Sequence, residues 1–196
     1  MGAERPNPKI TRHFVTLGDR QVHYRRAGSG PPVVLLHQSP KSGREMIPVA
    51  EALADDFTLI IPDTPGNGNS DPIGLANPVM EDYGDNVALI LDALGIEKVG
   101  VYGFHTGAGV GGAFASRHPD RVHVAILNGF VSLTADERDD ILTHYLPEFH
   151  PSWDGSHLTW LWARLREQMV FFPWYRASLA TRSGADMPSP ESLHGG

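Results

Sequence analysis

Cysteine is absent from all 196 residues. Disulfides, thiolate nucleophiles and cysteine-based zinc sites are therefore excluded. No apolar run approaches the roughly 20 residues needed to cross a bilayer. Basic residues are in deficit: 16 Lys and Arg against 23 Asp and Glu leave a formal charge of −7. That balance argues against a nucleic-acid groove or an anionic membrane surface. The opening residues, MGAERPNPK, carry no apolar stretch of the signal-peptide kind. Pro6 stands where a myristoylation motif after Gly2 needs Ser or Thr. These absences set the expectation of a soluble, cytoplasmic protein with no membrane or nucleic-acid partner. What is present, 41% hydrophobic and 20% charged residues, suffices for one domain with a sizeable core.

Residues 10–17 and 20–26 alternate apolar and polar around Gly18-Asp19 and predict a hairpin. Val33 to Leu36 and Phe57 to Ile61 are continuous apolar runs, the pattern of strands buried on both faces of a parallel sheet. Ser42-Gly43-Arg44-Glu45 reads as a capping box opening a helix with Met46, Val49, Ala50 and Leu53 on one face. Asn77 and Pro78 read as the start of another, with Tyr83, Val87, Ile90, Leu91 and Leu94 aligned and Gly95 closing it. His123 to Leu127 predicts a sixth strand. Strand and helix in alternation specify a mostly parallel sheet with helices on both faces.

The alternation stops beyond residue 130. Thr134 to Glu137 reads as a second capping box, for a helix ending before Pro147. Ser156 is expected to open a helix running to about Phe172 that is apolar on more than one side and packs between two surfaces. The expected organisation is a flexible N-terminus over 1–9, a core over 10–130, a helical region over 131–181 and a mobile tail over 182–196.

One stretch organises the rest. Val99 to Tyr102 reads as a buried strand, Gly103-Phe104-His105-Thr106-Gly107 as a tight turn, and Ala108 to Arg117 as a small-residue helix. A G-x-nucleophile-x-G elbow needs this arrangement, because its central residue is strained and tolerates no flanking side chains. Here the centre is His105. No metal site is expected: His118 and His123 flank Pro119 and open a strand. No phosphate cradle is expected either, since the glycines at 107, 109, 111 and 112 lack a G-x-G-x-x-G or P-loop pattern, and Gly109, Gly111 and Gly112 read as letting the helix pack tightly on the sheet.

Taken together, His37-Gln38-Ser39-Pro40, the turn Asp63 to Asp71, the elbow at 103–107 and Arg117 to Val122 resemble the α/β-hydrolase superfamily, in particular its cap-bearing branch of epoxide hydrolases and haloalkane dehalogenases. The resemblance covers about residues 10–130. It implies an α/β-hydrolase sheet with strands one to six, the start of a helical cap, and a chain that stops inside that cap. The family's later base and acid have no counterpart, and Asn128, where some dehalogenases carry an acid, is an amide. The resemblance assigns His105, Thr106 and Gln38 to catalysis, with the N–H groups of Thr106 and Gln38, or else Ser39, facing an oxyanion. His37, Ser39, Phe104, Tyr145, Trp174 and Tyr175 are expected to bind substrate, with Trp153 a further cavity residue and the His37 ring bracing its loop.

His105 admits three readings: nucleophile or general base, hydrogen-bonding residue for a substrate oxygen, or mark of a site that has lost hydrolysis. As a nucleophile it gives an acyl- or alkyl-imidazolium and needs no separate activating histidine. The implied function is cofactor-free hydrolysis of a small ester, epoxide or similar substrate. The alternatives are a non-catalytic binder of a small apolar ligand, an incomplete fragment of the full enzyme, and more remotely a lyase or cofactor-free oxygenase. Oligomeric state is not legible.

Overall fold

The computed structural model describes residues 9–144, 150–167 and 170–171. The chain divides into two compact units, one up to Val131 and one from Ser132 onward. The first is a six-stranded sheet. Strands β1 (Thr11–Leu17) and β2 (Arg20–Ala27) form the expected hairpin around Gly18, whose φ of 66° suits glycine. Strands β3 (Pro32–Leu36), β4 (Thr58–Pro62), β5 (Val99–Phe104) and β6 (Val122–Asn128) follow. Their spatial order is β1-β2-β4-β3-β5-β6. Only the pairs β1/β2 and β2/β4 are antiparallel, and the remaining pairs are parallel, as expected.

Alternation along β3 and β4 divides the core between two faces. Val34, Leu36 and Ile60 pack with Val87, Leu91, Val110 and Phe114 of helices α2 (Met80–Ala93) and α3 (Thr106–Arg117). Leu35, Leu59 and Ile61 pack with Met46, Ala50 and Ala54, around helix α1 (Ile47–Leu53). Chain from β3 leads to β4 on one side, and chain from α2 returns to β5 on the other. A crevice opens at such a switch point, outside the strands' carboxyl ends. That crevice is where the loops after β3 and β5 meet.

Helix α2 and helix α3 approach so closely at Gly84 that a Cβ there would lie 2.8 Å from the Phe114 nitrogen. Strand β6 pairs with β5 alone, and Val124 and Ile126 are each 57% exposed.

Two expected helix starts are corrected. Ser42 accepts from the Arg44 N–H at 3.4 Å, but Glu45 does not return to it; a 3-10 turn, Gly43–Met46, precedes α1. Glu45 is drawn away by stronger donors described below. Helix α2 begins at Met80, beyond Asn77 and Pro78, because the Asp82 carboxylate accepts the Val79 N–H at 2.8 Å and fixes the first turn there. Gly95 closes α2 with φ 66°, as expected, and the Ile96 N–H reaches back to the Leu91 carbonyl at 2.9 Å.

In the second unit, helix α4 (Ala135–His144) opens with a complete capping box: Thr134 N–H to Glu137 at 2.8 Å and Glu137 N–H to Thr134 Oγ1 at 3.3 Å. Helix α5 (Ser156–Glu167) buries none of its residues, so the expected packing between two surfaces is not observed. Its end stops short of the expected Phe172, which lies outside the described residues, as do Tyr145, Trp174, Tyr175 and the tail over 182–196. Among the described residues no helix is long and apolar enough to cross a membrane.

Candidate active site

The turn between β5 and α3 is as tight as the glycine spacing requires. A Cβ on Gly103 would lie 2.2 Å from the Gly107 carbonyl oxygen, and one on Gly107 would lie 2.2 Å from that of Leu36. Neither position admits a side chain. Between them, His105 has φ 51° and ψ −115°, and it is the one non-glycine residue with positive φ among those described. Its backbone is held from both sides: its N–H donates to Asn128 O at 2.9 Å, and its carbonyl accepts from Ala108 at 2.9 Å. A backbone this strained persists only where its surroundings over-determine it.

The His105 ring is exposed and meets Phe104 edge to face at 4.8 Å. No hydrogen bond to either ring nitrogen comes from the described residues. Asn128, at the end of β6, turns its amide to the Tyr102 hydroxyl at 3.0 Å. Thr106 opens α3, so its N–H has no partner within the helix.

Beside this turn lies a cavity of about 140 Å³ lined by His37, Ser39, Thr64, Asn67, Met80, Tyr83, Thr106 and Val110. It brings His37, Ser39 and Thr106 together, and His105 is not among its lining residues. Phe104 is half-buried on the α1 side of the sheet and does not line it. Trp153 belongs to the second unit and is wholly exposed. Thr64, Asn67, Met80, Tyr83 and Val110 were not anticipated here. Tyr83 and Val110 lie on runs that read as core, and Thr64 and Asn67 in a motif that reads as a structural turn.

Gln38 is placed differently from expectation. Its N–H donates to Glu45 Oε2 at 3.1 Å and its side-chain amide to Glu45 Oε1 at 2.6 Å. The donor expected to face an oxyanion is thus engaged by a carboxylate, and Gln38 does not line the cavity. Lys41 adds a bond to Glu45 Oε1 at 2.6 Å. Partial burial pushes the Glu45 carboxyl up, but the bonds from Lys41 and Gln38 outweigh it and hold its pKa below the ordinary 4.5.

The His37 tautomer follows from its partners. Nε2 accepts the Thr64 N–H at 3.0 Å, so the proton sits on Nδ1, which donates to Gln38 O at 2.8 Å. Burial lowers its pKa from 6.5, against the raising effect of that carbonyl. A buried, neutral imidazole with both nitrogens engaged braces its loop.

Asp63, fully buried, secures the neighbouring turn. It accepts from Gly43 N–H at 2.8 Å, Asn69 N–H at 3.0 Å, Arg25 at 3.0 Å and His23 Nδ1 at 3.0 Å. Desolvation would raise its pKa, yet these four partners together hold it below 3.8. Among the described residues, no cluster of His, Asp or Glu could hold a metal ion.

A parallel sheet flanked by helices, with a strained residue between strand and helix at its switch point, is the architecture of α/β enzymes that act at a strand end. A sequence model described as "alpha/beta hydrolase fold" matches residues 31–192, and the chain belongs to that family. It is 39% identical to a soluble epoxide hydrolase of Corynebacterium sp. (strain C12) over 58% of this chain and 40% of that protein. It is 31% identical to a 2-hydroxymuconate semialdehyde hydrolase of Pseudomonas sp. (strain CF600) over 76% of this chain and 54% of that one. Among solved structures, the epoxide hydrolase CorEH matches with a TM-score of 0.58 and 32% identity, over 70% of this chain and 51% of that one. The chain therefore spans about half the length of the relatives it matches.

Proposed function

We propose that this protein hydrolyses a small ester, with His105 as the nucleophile of an α/β-hydrolase elbow. The observation that carries the reading is the strained backbone of His105, the one positive φ outside glycine among the described residues. Its flanking glycines leave no room for a side chain, and the His105 ring between them is exposed. The relatives support hydrolysis as the reaction class, since those named act as hydrolases. An imidazole favours esters over epoxides: an N-acyl imidazole hydrolyses readily, whereas opening an epoxide would leave an N-alkyl product that does not turn over.

In the proposed step an unprotonated ring nitrogen attacks the ester carbonyl, and the carbonyl electron pair moves onto oxygen. Collapse breaks the C–O bond and expels the alcohol, with the imidazolium proton passing to it. Water then breaks the N–C bond, releases the acid and regenerates neutral His105. The Thr106 N–H faces the developing oxyanion from the start of α3. Ser39 takes the second donor position in place of Gln38: it lines the same cavity as Thr106, while the Gln38 N–H is held by Glu45. His37 holds Ser39's loop through Gln38 O.

The experiment is hydrolysis of p-nitrophenyl esters by the protein and by His105→Ala. Loss of at least about 100-fold in turnover is expected, a usual contribution for a reacting imidazole. Unchanged turnover would end the proposal. A second reading, ligand capture without chemistry, is favoured by one observation: no described residue hydrogen-bonds a ring nitrogen of His105. Saturable binding with no product over long incubation would support it.

A further inference from the structure

The cavity beside His105 contains a polar group whose orientation the structure determines. We infer that Asn67 Oδ1 is a fixed hydrogen-bond acceptor in this cavity, selecting small ligands that carry an O–H or N–H next to the reacting carbonyl.

The chain of bonds starts in the interior. His37 Nδ1–H donates to Gln38 O at 2.8 Å, leaving Nε2 as an acceptor. Nε2 receives the Thr64 N–H at 3.0 Å with its single lone pair and lies 3.1 Å from Thr64 Oγ1. Asn67 Nδ2 donates to Thr64 Oγ1 at 3.1 Å. The same nitrogen reaches Pro65 O at 3.4 Å. A carbonyl can only accept, so the amide cannot be turned end for end without setting oxygen against oxygen. The backbone of Asn67 is pinned as well: its N–H donates to Thr64 O at 2.9 Å and its carbonyl accepts from Ser70 at 3.1 Å.

Asn67 lines the cavity, and no described residue donates to its Oδ1. The remaining walls set the size and character of what fits. Met80 and Val110 are apolar, and with about 140 Å³ the space admits a group of a few heavy atoms. A purely alkyl group entering would displace water from Oδ1 and leave that acceptor unpaired. A hydroxymethyl or aminomethyl group satisfies it. The ligand class is thus a short α-hydroxy or α-amino acyl compound rather than the plain alkyl one.

This inference rests on the ester reading for its relevance to turnover, but binding tests it separately. The probes are hydroxyacetone and butanone, which have the same shape, differ in one hydroxyl and cannot be hydrolysed. Titration of each into ¹⁵N-labelled protein, following the Asn67 and Thr106 amides, is expected to give a Kd about 5-fold lower for hydroxyacetone. The preference should vanish in Asn67→Leu and survive in Thr64→Ser, which keeps the anchoring hydroxyl. The full chain is used throughout, with circular dichroism confirming that both variants are folded. Equal affinities in the unaltered protein, a preference that persists in Asn67→Leu, or no binding of either probe would each overturn the subsite. Ester turnover without discrimination overturns the subsite and spares the reaction. Discrimination without turnover of p-nitrophenyl hydroxyacetate spares the subsite and removes the reaction.

Discussion

Substitution of His105 by glycine and by alanine provides a direct reading of the strain at the turn. Both variants lose the ring and its edge-to-face contact with Phe104 at 4.8 Å, so that loss cancels between them. They differ in Cβ. At φ 51° and ψ −115° an alanine keeps the backbone strain, which for such conformations is about 1–3 kcal/mol. Glycine releases that strain but adds about 0.5–1 kcal/mol of unfolded-state entropy. The balance leaves His105→Gly more stable than His105→Ala by about 1 kcal/mol. With a urea slope of about 2 kcal/mol per molar, the midpoints separate by about 0.5 M. All four tryptophans, at 153, 160, 162 and 174, lie beyond residue 131 and would miss the event. The assay is therefore hydrogen exchange of buried β5 amides such as Val101. At an unstrained position alanine is the more stable of the two, so that order would refute the elbow geometry.

Three further outcomes follow from the same contacts. Gly107→Ala sets a Cβ 2.2 Å from Leu36 O, backbone against backbone, and is expected to abolish cooperative folding, as read by far-ultraviolet circular dichroism. Asp63→Asn strips the counter-charge from buried Arg25 and is expected to destabilise the protein by about 3–5 kcal/mol in urea. Asp63 has a folded-state pKa below 3.8, so its contribution is complete above that value and fades as pH falls through the folded pKa. The gap between wild type and Asp63→Asn should accordingly narrow only in strong acid. His37 is lowered from 6.5 by burial, so the folded protein resists protonating it while the unfolded chain accepts the proton. Its stabilising effect is full above 6.5 and declines as pH drops below, and its ring resonances should titrate with a midpoint under 6.5. A midpoint at or above that value would contradict the assigned tautomer.

Much of the sheet was legible because its signals are local. Continuous apolar runs such as Val33 to Leu36, short and rich in β-branched residues, fit a doubly buried strand, and Gly103 with Gly107 centres the turn on His105. Of the residues the motifs single out, His37, Ser39 and Thr106 line one cavity. What was lost depends on rotamers that spacing does not encode. Glu45 sits three residues after Ser42, where a capping box expects it, yet Gln38 and Lys41 offer its carboxylate better donors. That one competition displaced the helix start and removed Gln38 from the cavity. Asn67 was hidden for a related reason: its turn reads as scaffolding, and only the bonds of its amide nitrogen to Thr64 Oγ1 and Pro65 O give its oxygen a role.

The most direct test of the central claim is to trap the intermediate on His105. The protein is mixed with excess p-nitrophenyl acetate and passed within the first turnover, without digestion, to intact-mass spectrometry with gas-phase fragmentation to locate the adduct. The account predicts an acetyl group on His105 that decays as acetate appears, and none at that position in His105→Ala. Acetate released with no adduct on His105, or at the same rate from the alanine variant, would contradict it.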